Sequence, residues 1–113
     1  MSDTTIKKVQ ATTSPKGSMG QKYLVSGVSI SMRLWEEEPG AVDPEPMRRD
    51  YETVGYVIQG RAKLELNGQT LTLEPGDSWL VPKDTIHRYQ IIEPLVAVEA
   101  TSPPARIYGR DEK

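Results

Sequence analysis

With 113 residues the chain has room for one domain with its own core, and its formal charge of −2, from 14 Lys/Arg against 16 Asp/Glu, weighs against nucleic acid or an anionic membrane as a partner, since both are held by dense basic patches. The lack of any cysteine excludes a disulfide framework and a thiol nucleophile. No stretch approaches the ~20 apolar residues of a membrane span and the first residues have no apolar signal core, so a cytoplasmic protein is expected.

Residues 1–20 are rich in Ser, Thr, Lys and Gly and are expected to form a flexible arm. Two strands follow, Lys22 to Val25 and Val28 to Trp35, split by Ser26-Gly27; in the second, Val28, Ile30, Met32 and Leu34 share one face, expected to point toward the core, and Ser29, Ser31 and Arg33 share the other. Residues 36–46, EEEPGAVDPEP, are acidic and proline-rich, and proline cannot donate to a strand ladder. From Thr53 to Gln59 both faces are apolar: Thr53, Gly55 and Val57 on one, Val54, Tyr56 and Ile58 on the other. The second stripe is expected to be covered by the arm or by a second subunit.

Three glycines then punctuate the chain, at Gln59-Gly60, Asn67-Gly68 and Pro75-Gly76, each marking a tight reversal. Between them Ala62, Leu64 and Leu66, then Leu71 and Leu73, recur with period two, the mark of antiparallel strands with one buried face. If His87, the only histidine, points inward, Tyr89 and Ile91 share its face, while Met32, Leu64 and Leu73 are expected to close the bottom of the resulting pocket. A break at Glu93-Pro94 precedes a last strand, Leu95 to Ala100, and a tail, 102–113, expected to be an extended strap or disordered. There is no repeat, phosphate-binding glycine loop or nucleophile with an obvious base.

The segment from Met47 to His87 resembles the two motifs of the cupin superfamily. The second motif, a glycine, five residues and then P-x-G-x-x-H, is matched by Gly76, Asp77 to Val81, Pro82 and His87, with Asp84 where a glycine is usual; Tyr51-Glu52-Thr53 and Tyr56 to Gly60 resemble the tail of the first. The resemblance spans roughly residues 28–98 and implies an all-β fold, a double-stranded β-helix or jelly-roll barrel, as a single domain over 21–101, and it favours a homodimer. In many members the barrel holds a divalent metal through two histidines and a carboxylate or glutamine of the first motif and one histidine of the second. Those first two positions fall here on Met47 and Arg49, or on Pro46 and Arg48, and the carboxylate position falls on Thr53. Only His87 survives, so no metal and no cofactor is expected.

What remains is a small-molecule pocket with Arg48 or Arg49, Thr53, His87 and Tyr89 as candidate ligand-binding residues. A guanidinium offers a permanent charge and a planar donor fork for a carboxylate or phosphate, unless it is spent on Asp50, Glu52 or the acidic loop at the surface. The leading expectation is a metal-free barrel binding a small anionic organic molecule such as a sugar acid, keto acid or sugar phosphate. Two alternatives stay open: a metal-independent isomerase or epimerase with His87 and Tyr89 as catalytic acid and base, and a metal-dependent dioxygenase or isomerase in which Asp50, Glu52 or an acidic-loop carboxylate joins His87.

Overall fold

The computed structural model describes residues 6–13, 21–40 and 45–105. Six strands carry the fold: β1 (Lys22–Ser26), β2 (Ser31–Glu37), β3 (Glu52–Leu66), β4 (Gln69–Leu73), β5 (Ser78–Val81) and β6 (His87–Ser102). All pairings between them are antiparallel, in the order β1-β2-β6-β3-β4, with β5 also on β3. The only helical piece among the described residues is a 3-10 turn at Ala11–Thr13. The expected all-β jelly-roll barrel is therefore the observed architecture.

The two long strands make the barrel. Gln59-Gly60 is not the expected reversal and Glu93-Pro94 is not the expected break; both lie inside continuous strands, β3 and β6, where the pairing shifts register between Val57 and Ala62. Gly60 has φ +87° and its missing Cβ would overlap the Pro94 carbonyl, so glycine alone lets the two strands bend together at this point. On one side of the bend the strands join β2 and β5, on the other β4. Val57, Ala62, Leu64, Leu73, Trp79, Val81, Leu95 and Ala97 form the core between the two halves.

The turns behave as their residues dictate. Asn67 and Gly68, at φ 50° and 78°, close the β3–β4 hairpin with two positive φ angles, as a two-residue turn requires. Asp84, which stands at the usual glycine of the second motif, adopts φ 59° and so keeps the left-handed backbone of that position.

One face assignment is reversed. In β2 it is Ser31 and Arg33 that are buried, while Met32 is 42 % exposed and Val28 and Ile30, in the turn before the strand, are exposed as well. Met32 thus does not close the pocket, whereas Leu64 and Leu73 are buried as expected. The inner polar residues are tolerated because β6 supplies partners in register: Ser31 Oγ lies 3.1 Å from Thr101 Oγ1 and Arg33 Nε donates to Glu99 Oε1 at 2.8 Å. A smaller departure is Leu71, which shares the face of buried Leu73 yet is half-exposed near the turn end of the edge strand β4.

Of the expected arm, residues 1–5 and 14–20 lie outside the described residues, as do 41–44 of the acidic loop and 106–113 of the tail. β6 runs on to Ser102, and Ala105 beyond it is buried, its N–H donating to Thr101 Oγ1 at 2.9 Å. No helix among the described residues is long and apolar enough to cross a membrane.

Candidate functional site

Strand alternation builds a cavity of about 300 Å³ between the two halves of the bent sheet. From β6 it receives His87, Tyr89 and Ile91 before the bend and Leu95, Ala97 and Glu99 after it; from β2 it receives Arg33, Trp35 and Glu37. β3 contributes Thr53 and Val57, with Gly55 between them leaving room for the Trp79 indole, which would overlap a Cβ at that position. Thr53, His87 and Tyr89 are thus brought together as the sequence leads one to expect.

The segment before β3 places the two arginines differently. Met47 and His87 exchange backbone hydrogen bonds of 2.8 and 2.9 Å, and the Arg49 carbonyl accepts from the Asp84 N–H at 2.8 Å. This anchoring gives the segment a period of two: Met47, Arg49 and Tyr51 line the cavity, while Arg48 is exposed and does not. Of the carboxylates considered as replacement ligands, Glu52 is exposed on the outer face of β3, Asp50 does not line the cavity, and Glu36 pairs with Lys22 at 2.7 Å. Glu37 is the acidic-run residue that reaches the cavity wall.

The polar heart of the cavity was missed by sequence reasoning. Arg33 donates through Nε to Glu99 and through one terminal nitrogen to the Tyr51 hydroxyl at 3.2 Å, and its guanidinium lies 5.1 Å from the Trp35 ring centroid and 5.3 Å from that of Tyr51. Trp35 Nε1–H donates to the same Glu99 oxygen. Across the cavity Trp79 Nε1–H donates to the Tyr89 hydroxyl at 3.0 Å, with the two rings edge to face. The signal available in the sequence was an opposite-charge pair, Arg33 and Glu99, each set among apolar residues of a strand; only the register of β2 on β6 makes them partners.

The two titratable groups of β6 are shifted by burial. His87 Nδ1 lies 2.9 Å from the Thr85 carbonyl, which can only accept, so Nδ1 carries the proton and Nε2 is left as an acceptor. Burial pushes the imidazole below its ordinary pKa of 6.5, against the opposing pull of the Thr85 carbonyl and of Glu99; Arg49 and Arg33 lower it further. Burial, followed by the negative charge of Glu99, drives the Tyr89 phenol well above its usual range. Tyr89 therefore keeps its proton at neutral pH, and its hydroxyl accepts from the Trp79 indole.

These residues do not fit the divalent metal that the motifs imply in other members of the family. Met47, Arg49 and Thr53 occupy the first-motif positions of the wall, and Glu99 is engaged by Arg33 and Trp35. Among the described residues no group of three or more His, Cys, Asp or Glu could hold a metal ion. Two guanidiniums near the one imidazole further oppose a cation there.

Comparison with known proteins agrees with the architecture. The solved structure of an RmlC-like cupin from Shewanella frigidimarina superposes with a TM-score of 0.76 at 19 % identity, over 91 % of this chain and 95 % of that one, a likeness of fold. The structure of KdgF from a Halomonas species matches with a TM-score of 0.66 at 28 % identity, over 74 % of this chain and 78 % of that one. The Msm operon regulatory protein of Streptococcus mutans is 40 % identical over 45 residues, which is 40 % of this chain but only 16 % of that protein's length. Residues 33–100, more than half of the chain, match the family model for the cupin domain, and the protein belongs to the cupin family.

Proposed function

We propose that this cupin domain binds a small anionic organic molecule in its cavity, with Arg49 holding the anionic group and with His87 and Thr53 hydrogen-bonding the rest. The observation that carries the reading is the alternation of Met47, Arg49 and Tyr51, anchored beside His87, which turns one arginine toward the cavity and the other away. A guanidinium can serve an anion electrostatically where the donors for a metal are missing. The match to part of an operon regulatory protein is in keeping with a sensing role, though catalysis has its own support: a neutral imidazole with a free acceptor nitrogen is the form a general base must take.

The test is a thermal-shift screen of organic carboxylates and sugar phosphates, followed by titration of the best ligand into Arg49→Ala and Arg48→Ala. Arg49→Ala is expected to lose binding at least tenfold and Arg48→Ala to retain it. Equal affinity in both variants overturns the reading. Turnover of a bound ligand that disappears in His87→Ala would make the domain an enzyme.

A homodimer is part of the same proposal. On the outer face Met32, Ala100, Val54 and Leu80 form one cross-strand row and Leu34, Val98 and Tyr56 the next, with Val54, Tyr56, Ile58 and Leu80 each about half exposed. A continuous apolar patch that crosses four neighbouring strands, β2, β6, β3 and β5, suits a subunit interface.

A further inference from the structure

We infer that Trp79 is the specificity-determining residue of the cavity: its indole limits how long a ligand the cavity accepts, and the part of the ligand that meets it is hydrocarbon. This rests on the reading that the cavity binds a small organic anion. The register of the sheet places the indole. One inner cross-strand row runs through Arg33, Glu99, Gly55 and Trp79, on β2, β6, β3 and β5. Gly55 leaves a gap in that row, and Trp79, directly opposite it on β5, fills the gap. A Cβ on Gly55 would lie 2.4 Å from two carbons of the indole, so the ring occupies space that any other residue at position 55 would claim.

The ring is also tied at its far side. Its Nε1–H donates to the Tyr89 hydroxyl at 3.0 Å, and Tyr89 stands on β6 before the bend, in the opposite half of the sheet from β5. The indole thus reaches from one half of the bent sheet to the other and stands as a partition at the edge of the cavity. It belongs at once to the cavity wall and to the buried core cluster, and with its one polar atom bonded to Tyr89 it presents carbon surface to whatever enters. Leu73, Val57 and Leu95, which belong to both sets as well, continue that surface. A ligand hydroxyl set against these groups would give up its water without a partner, whereas a methylene gains by burial.

Isothermal titration of the full chain with straight-chain carboxylates from butanoate to dodecanoate tests this, with gluconate and glucose 6-phosphate as polar probes. Affinity is expected to climb about three- to fourfold per methylene and then to drop. The drop is expected at roughly eight carbons, where a cavity of about 300 Å³ is filled. Trp79→Ala is expected to move the drop to chains longer by about four carbons, and Trp79→Leu, the second variant should the first fail to fold, by about two. Gly55→Ala, whose Cβ drives the indole inward, is expected to move it to shorter chains. A merely structural role for Trp79 would weaken all chain lengths alike and leave the drop where it is. A drop at the same length in wild type and in the Trp79 variants overturns the inference, as does binding of gluconate or glucose 6-phosphate where none of the straight-chain acids binds; either result leaves the anion-binding reading standing. Binding of no acid and of neither polar probe overturns both.

Discussion

Arg33 and Glu99 face each other across β2 and β6 with Nε and Oε1 2.8 Å apart, their side chains only 7 % and 2 % exposed. Two opposite charges so deep in a small barrel are costly to desolvate, and their value lies in neutralising one another. Glu99→Gln leaves the guanidinium buried without its countercharge, and a loss of about 3–5 kcal/mol is expected. The double variant Arg33→Met/Glu99→Met removes both charges and is expected to recover most of that loss. Urea unfolding of the wild type, the single and the double variant checks this; a single variant within about 1 kcal/mol of wild type would show the pair to be hydrated.

The bend shared by β3 and β6 makes a second contrast. Gly60 has φ +87° and no space for a Cβ beside the Pro94 carbonyl, whereas Gly68 has φ +78° with nothing within 4 Å of its would-be Cβ. Gly68→Ala is therefore expected to cost only the backbone strain, about 1 kcal/mol. Gly60→Ala adds displacement of backbone at the hinge of the barrel and is expected to cost about 4 kcal/mol or more, or to prevent folding. Thermal unfolding of the two variants reads the difference; equal losses would mean that the bend can move.

How much of this was legible in the sequence differs from element to element. The Asn67-Gly68 hairpin and the shared face of His87, Tyr89 and Ile91 follow from turn chemistry and period two, which are local, whereas the stretch from Gly76 to His87 was legible through its resemblance to the second cupin motif. Period two separates the faces of β2 but does not say which is inside, and the apolar residues Val28, Ile30 and Met32 pointed the wrong way because the outer face is apolar as well. The inward arginine becomes intelligible only with Glu99, some 66 positions later, in register beside it. That Arg49 and not Arg48 lines the cavity likewise hangs on a backbone bridge between Met47 and His87, a tertiary fact.

The solitary histidine gives stability a pH dependence that can be assigned. Its folded pKa lies below the unfolded value near 6.5, so below that value the unfolded chain binds more protons than the folded one, and stability falls as pH drops through 6.5 toward the folded pKa. Above pH 7 the group contributes no slope, and once the pH is below the folded value its share of the loss is complete. Urea midpoints at pH 7.5, 6.5 and 5.5, a range above the ordinary carboxylate pKa values, are expected to decrease in the wild type and to stay flat in His87→Gln. A wild-type profile that is flat, or that rises on acidification, would mean that the imidazole is solvated.

The outer face offers the last test. Val54, Tyr56 and Leu80 sit on adjacent strands, Val54 and Leu80 directly opposite, and each is 47–51 % exposed in the single chain. A charge placed there meets solvent in a monomer and is nearly neutral, but in a two-fold interface it meets apolar surface and its own copy. Tyr56→Glu and Val54→Lys are therefore expected to convert the protein from dimer to monomer in light scattering at micromolar concentration, with far-ultraviolet circular dichroism unchanged. The unfolding midpoint of the wild type should in turn rise with protein concentration, while that of the charged variants should not. A wild type that scatters as a monomer, with a concentration-independent midpoint, would remove the second subunit from the explanation of this face and return it to another covering partner.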